Sequence, residues 1–158
     1  MNPLVEYVRH YQKTFQLNDC NLPNQTASAW SKEVSDIVAA VLPRLRKIRS
    51  EIRDDQLNPN NIGFFIAMML LEESCEHAQA LEKKDEAEIF KELCDIVYLA
   101  FGMMIRLKLP VEAGFLEVHM SNMTKTCGVH KGIGFHQADM KKVIEEARRA
   151  VQFGVPQY

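Results

Sequence analysis

Several common signatures are missing from this chain, and each absence removes a class of protein. Its four cysteines, Cys20, Cys75, Cys94 and Cys127, form no CxxC pair, so neither zinc or redox spacing nor the density of a disulfide-stapled scaffold is present. They read as reduced thiols, which points to the cytoplasm. Residues 93–105 are nearly all apolar, yet they fall short of the roughly 20 residues of a bilayer span, and Asp95 interrupts them. The opening MNPLVEYVRHYQ places Glu6 and Arg9 inside its only candidate apolar stretch, so no signal peptide is expected. Net charge is nearly absent too: 19 basic and 21 acidic residues leave −2, which gives no overall attraction to nucleic acid or membrane. Alternating strand patterns, internal repeats and low-complexity tracts are likewise missing.

What the chain has is helical periodicity over 158 residues, enough to bury a core without disulfides. The expectation is one all-α domain, residues 1–158, of five or six helices. The first runs from Pro3 to about Phe15, and LNDCNLPNQT breaks it. A second spans about Ala29 to Asp54, its apolar face Val34, Ile37, Val38 and Val41 leading into Leu45, Ile48 and Ile52; Pro43 either kinks it or starts a new helix. The turn LNPNN precedes a third, about Ile62 to Lys83, and Asp85 with Glu88 makes a capping pair for a fourth that reaches about Lys108. Those two must form a tight antiparallel hairpin. Pro110 opens a fifth helix to about Met123, Gly128, Gly132 and Gly134 mark a loop, and an amphipathic helix closes near Ala138 to Phe153.

The chemistry concentrates in FFIAMMLLEESCEHAQALEKKDEAEIFKELCDIVYLAFGMMI, residues 64–105. An apolar run gives way at once to Glu72, Glu73 and Glu76, and Asp95 stands alone among apolar neighbours. Burying such carboxylates costs several kcal/mol unless a cation or donor compensates them. Helical geometry puts Glu72, Glu73 and Glu76 within about 100° of arc, and Glu88, Glu92 and Asp95 within about 60°. If the hairpin turns these faces together, Glu73, Glu76, Glu92 and Asp95 converge as a four-carboxylate cage. Like charges so close call for a divalent cation, and oxygen-only ligands favour Mg²⁺, with Mn²⁺ as a substitute. The plainer reading is an acidic solvated face. A di-iron bundle would need Glu-x-x-His motifs, which are absent.

EESCE at 72–76 and ELCD at 92–95 resemble the paired ExxE and ExxD signature of the all-α nucleoside triphosphate pyrophosphohydrolases. This is the MazG-like superfamily, which includes dimeric dUTPases and phosphoribosyl-ATP pyrophosphohydrolase. The stretch DIVYLAFGMMIRLKLPVEAGFLEVHMSNMTK, residues 95–125, is similar to the segment that follows ExxD in small phage-type members. The resemblance covers about residues 62–126, with VEYVRHYQKTFQL as a looser match to the N-terminal helix.

The resemblance implies a helical bundle assembled as a homodimer or homotetramer, with Mg²⁺-dependent cleavage of a (deoxy)nucleoside triphosphate to the monophosphate and pyrophosphate. It makes Glu73, Glu76, Glu92 and Asp95 the metal ligands and Asn122 and Lys125 the contacts to the substrate phosphates. Glu72 becomes the candidate to orient or deprotonate the attacking water. Residues 20–60, with the basic RLRKIRSEIR, are longer than the family leads one to expect, and the tail CGVHKGIGFHQADM lacks a proline-rich ending. That length argues against phosphoribosyl-ATP as substrate, though the same cage would serve it. The basic helix itself reads as a solvated amphipathic face or, alternatively, an RNA or partner surface. A non-catalytic helical dimer that binds nucleotide or a partner is the alternative from another class.

Overall fold

The computed structural model describes residues 2–16, 29–52, 61–125 and 131–152. Six helices account for most of these residues: α1 (Pro3–Thr14), α2 (Ala29–Glu51), α3 (Ile62–Lys83), α4 (Glu86–Arg106), α5 (Val111–Met123) and α6 (Met140–Gln152). No strand occurs among the described residues, so the all-α expectation holds. The breaker LNDCNLPNQT and most of LNPNN fall outside them, as do Cys20, Cys127 and Gly128. No helix among the described residues is long and apolar enough to cross a membrane.

The chain divides into two compact units, and the division falls inside α4, between Met103 and Met104. The unit of residues 20–103 contains α2, α3 and most of α4. Val38, Leu42 and Leu45 of α2, Ile66 and Ala80 of α3 and Ile89 of α4 make its buried apolar core. The spacing of the α2 residues, four and then three, is that of a single helical face. Ile37, Val41 and Ile48, expected on that face, are instead exposed. Pro43 neither ends α2 nor starts a new helix, which continues through it to Glu51.

Two local devices set the α3–α4 hairpin. Lys84 takes a left-handed conformation at φ 56°, and the amides of Lys84 and Asp85 donate to the carbonyls of Leu81 and Ala80, satisfying the end of α3. Asp85 then caps α4, its carboxylate accepting from the Glu88 amide at 3.1 Å. At the other end of the hairpin Gly63 lies so close to Met103 that a Cβ there would meet its Cε at 3.1 Å. The third and fourth helices are thus the antiparallel pair the sequence implies.

The unit of residues 1–19 and 104–158 contains α1, α5 and α6. Asn2 caps α1 by accepting from the Leu4 amide at 3.0 Å. Tyr7 stacks on His119 of α5 at 5.1 Å between ring centroids, and His10 Nδ1 lies 3.0 Å from His119 Nε2. The loop before α6 is stitched to α5: the Ser121 hydroxyl donates to the His136 carbonyl at 2.7 Å, and the His136 amide donates to Thr124 Oγ1 at 2.9 Å. An apolar cavity of about 180 Å³ in this unit is lined by residues that include Met104, Phe115, Val118, Met140 and Ile144.

Candidate metal centre

The acidic residues of α3 fall on two flanks of the helix. Glu73 points toward α4, where one carboxylate oxygen from each of Glu73, Glu92 and Asp95 lies within 4.8 Å of the others. Glu73 and Glu92 are buried. Asp95 is not the buried aspartate its apolar neighbours suggest: its side chain is 46 % exposed, because Leu93, Val97 and Tyr98 around it are themselves exposed.

Glu72 and Glu76 sit toward α2. Glu76 Oε1 accepts from Arg46 Nη2 at 2.5 Å, and Glu72 Oε2 accepts from Arg49 Nη1 at 3.1 Å. Arg46 Nε is also 3.9 Å from Glu72 Oε1. Glu72 is 3 % exposed, so the paired charge compensates a carboxylate that would otherwise be costly to bury. Three of the four expected cage residues therefore come together, and the fourth, Glu76, is held by a guanidinium. Its pairing with Glu76 keeps Arg46 above its ordinary value.

The three-carboxylate cluster is electrostatically strained. Burial first, then the hydrogen bond with Glu92 and the charges of Glu76, Glu92 and Asp95, push Glu73 from its ordinary 4.5 up to about 7. Burial is also the largest influence on Glu92, but hydrogen bonds with Lys91, Glu73 and Glu88 outweigh it and hold Glu92 below its ordinary value. Together the pair is suited to retaining one proton, on Glu73. Lys91, raised by its hydrogen bond with Glu92, is the cation that reaches this cluster. It contacts Glu92 at 2.5 Å and Asp95 at 3.6 Å from an exposed position on the same helix.

One atom tests whether the residues suit a cation. Glu92 Oε2 is buried and has no hydrogen-bond partner, although Glu92 is only 1 % exposed. A buried carboxylate oxygen without a donor is unfavourable by about 1–3 kcal/mol or more. A hard cation among three carboxylates satisfies it, as a proton on Glu73 would in part. The donor set is oxygen only, which fits Mg²⁺ or Mn²⁺ and not a soft metal.

Asn122 and Lys125 belong to the other compact unit, at the C-terminal end of α5, where the Lys125 amide donates to the Asn122 carbonyl at 3.1 Å. Both are partly buried. Arg46, Arg49 and Lys91 are the charged partners that periodicity did not single out. A signal existed, since Arg46 and Arg49 are spaced one helical turn apart, as Glu72 and Glu76 are. It is legible only once α2 is known to pack on α3.

Comparison with known proteins agrees with the geometry. Residues 45–122 match the family model described as phosphoribosyl-ATP pyrophosphohydrolase, abbreviated PRA-PH. No curated protein and no solved structure matches the chain. The matched segment takes in Arg46, both acidic motifs and Asn122, and a pyrophosphohydrolase type of activity follows from it. Residues 45–122 thus carry a phosphoribosyl-ATP pyrophosphohydrolase domain match, a family that lies within the MazG-like all-α nucleoside triphosphate pyrophosphohydrolase superfamily.

Proposed function

We propose that the protein is a Mg²⁺-dependent nucleotide pyrophosphohydrolase that cleaves a (deoxy)nucleoside triphosphate between its α and β phosphates, serving nucleotide-pool sanitation or balance. The observation that carries this reading is the meeting of Glu73, Glu92 and Asp95 around a buried, unpartnered oxygen of Glu92. These three residues, with Glu76 as a fourth, would hold the cation. When bound, the cation supplies positive charge against the phosphate oxygens and makes water more acidic.

The chain's own residues do the rest. Glu72 is the proposed group that orients the attacking water or takes its proton, and to act so it gives up part of its pairing with Arg49. Asn122 and Lys125 are the proposed phosphate contacts, Lys125 as a point charge; the SNMTK motif supports them. Phe64, Phe90, Val97 and Tyr98 are all exposed. That much open apolar surface supports assembly as a dimer or tetramer. Free thiols at Cys75 and Cys94 suit a reducing cytoplasm.

A second reading, hydrolysis of phosphoribosyl-ATP, is favoured by the description of the family model that matches. Both reactions give pyrophosphate, so one experiment separates them. Canonical and modified nucleoside triphosphates and phosphoribosyl-ATP are each incubated with Mg²⁺, and the products resolved with and without inorganic pyrophosphatase. Monophosphate and pyrophosphate from a triphosphate supports the first reading, and turnover confined to phosphoribosyl-ATP supports the second. Diphosphate and orthophosphate as first products would overturn both. No turnover of any substrate would return the chain to a non-catalytic nucleotide-binding dimer.

A further inference from the structure

We propose that Arg46 is a built-in competitor for the metal centre: it holds Glu76 as an internal counter-ion, and a divalent cation completes its ligand set by taking Glu76 from it. The inference rests on the metal reading above and adds a residue that sets how tightly the cation is held.

The geometry is specific. Glu76 follows Glu73 on α3 by three residues, so the two carboxylates are neighbours on the helix surface. Glu73 belongs to the three-carboxylate cluster, while Glu76 Oε1 lies 2.5 Å from Arg46 Nη2. The proposed exchange calls for rotation about the side-chain bonds of Glu76, whose position on the helix neighbours that of Glu73. Its charge is already felt at Glu73. The Arg46 side chain is 56 % exposed, so it can swing into solvent at little cost when displaced.

Arg49 provides the internal contrast. It lies three residues farther along α2 and carries the same charge, but it pairs with Glu72, which is outside the cluster. A general repulsion between basic α2 and an incoming cation would act through both arginines. A competitor acts through Arg46 alone, and only while Glu76 is present.

The test is Mn²⁺ binding to the full chain without nucleotide, read from the electron paramagnetic resonance signal of free Mn²⁺, with helical circular dichroism showing that each variant is folded. Arg46→Ala is expected to tighten Mn²⁺ binding about two- to fivefold, the upper range of a half-exposed ion pair. Arg46→Lys should stay nearer to wild type. In a Glu76→Gln background, where binding is weaker, adding Arg46→Ala should change nothing further.

Equal tightening by Arg46→Ala and Arg49→Ala, or tightening that persists in the Glu76→Gln background, would reduce the effect to general repulsion and overturn the competitor. Weaker binding in Arg46→Ala would also overturn it, since Arg46 would then be holding Glu76 in place for the metal. Absence of Mn²⁺ binding in wild type and Arg46→Ala alike would sink the metal reading itself. Binding that does not change on substitution would remove only the competitor.

Discussion

The two flanks of α3 carry the same residue type in opposite circumstances. Toward α2, Glu72 and Glu76 meet guanidinium groups from another helix. Toward α4, Glu73 meets Glu92 and Asp95, and the cation that reaches them is Lys91, an exposed neighbour on the acids' own helix. The first flank is complete as it stands: each negative charge has a positive partner, and the buried Glu72 is compensated. The second has like charges in contact, a carboxyl raised toward neutrality and an oxygen without a donor. A fold gains nothing from the second arrangement unless something else binds there, which is the ground for proposing a metal centre on this flank.

The largest expected effect comes from breaking the second flank. Glu73→Gln, Glu92→Gln and Asp95→Asn should each lower pyrophosphate release at least about a hundredfold, the scale of losing an electrostatic element of the transition state. They should also remove the rise in melting temperature expected of Mg²⁺ if it binds the folded chain. Full turnover in Asp95→Asn would mean that the half-exposed aspartate lies outside the site.

Next in size is a pH effect that separates the flanks without metal. An acid whose pKa is raised by folding, as that of Glu73 is from 4.5 to about 7, binds more protons folded than unfolded across that interval. Stability of the chelated protein therefore falls as pH rises from about 4.5 to about 7, by at most about 3 kcal/mol from this residue. Glu92, held below its ordinary value, adds stability that is lost only as pH falls below that interval. His119, lowered first by burial and then by His10, acts with the opposite sign near and below 6.5. Urea denaturation of wild type and Glu73→Gln in chelator isolates the Glu73 contribution as a difference. A difference that does not change with pH would show that folding does not raise the Glu73 pKa.

Much of this was legible in the sequence. The α3 boundaries agree with the expected span, and the other helices begin and end within a few residues of theirs, because caps and prolines are local signals: Asn2, Asp85 and Pro110 act through neighbours in the chain. The convergence of Glu73, Glu92 and Asp95 was legible too, since a short turn leaves an antiparallel hairpin little choice of facing residues. The destination of Glu76 was not, for it depends on Arg46, some 30 residues away on a helix joined to α3 through residues 53–60. Neither was the exposure of Asp95. Apolar neighbours in a sequence can face solvent or a partner as readily as a core, and only the folded chain separates these cases.

A smaller effect probes the completed flank. Arg49→Ala leaves Glu72 buried with only the 3.9 Å approach of Arg46, and the Arg49 side chain is itself 48 % exposed. The expected loss is about 1–2 kcal/mol of unfolding free energy in urea, less than for a fully buried pair. Pairing the change with Glu72→Leu should recover most of it, because the penalty belongs to the unpaired carboxylate. No recovery in the double variant would mean that Arg49 acts by packing.

The smallest expected effect concerns Lys91, the cation nearest the strained flank. It touches Glu88, Glu92 and Asp95, so proximity alone would make it a member of the centre. Its placement argues otherwise. It lies on the same helix as its partners, and its side chain is 53 % exposed, so water screens its charge and a cation can displace it with little loss. Lys91→Gln should therefore leave turnover at saturating Mg²⁺ close to wild type and lower the half-saturating Mg²⁺ concentration by no more than about threefold, as a screened competitor is removed. The Arg46 substitution should match or exceed that shift, because Arg46 engages Glu76 outside the three-carboxylate cluster, whereas Lys91 leaves Glu92 and Asp95 within it. If Lys91→Gln instead raised the Mg²⁺ requirement, Lys91 would be orienting Glu92 for the metal, and the strained flank would have a fixed cation after all. The contrast between the two sides of α3 would then be one of degree, between cations from a neighbouring helix and a cation from the same one.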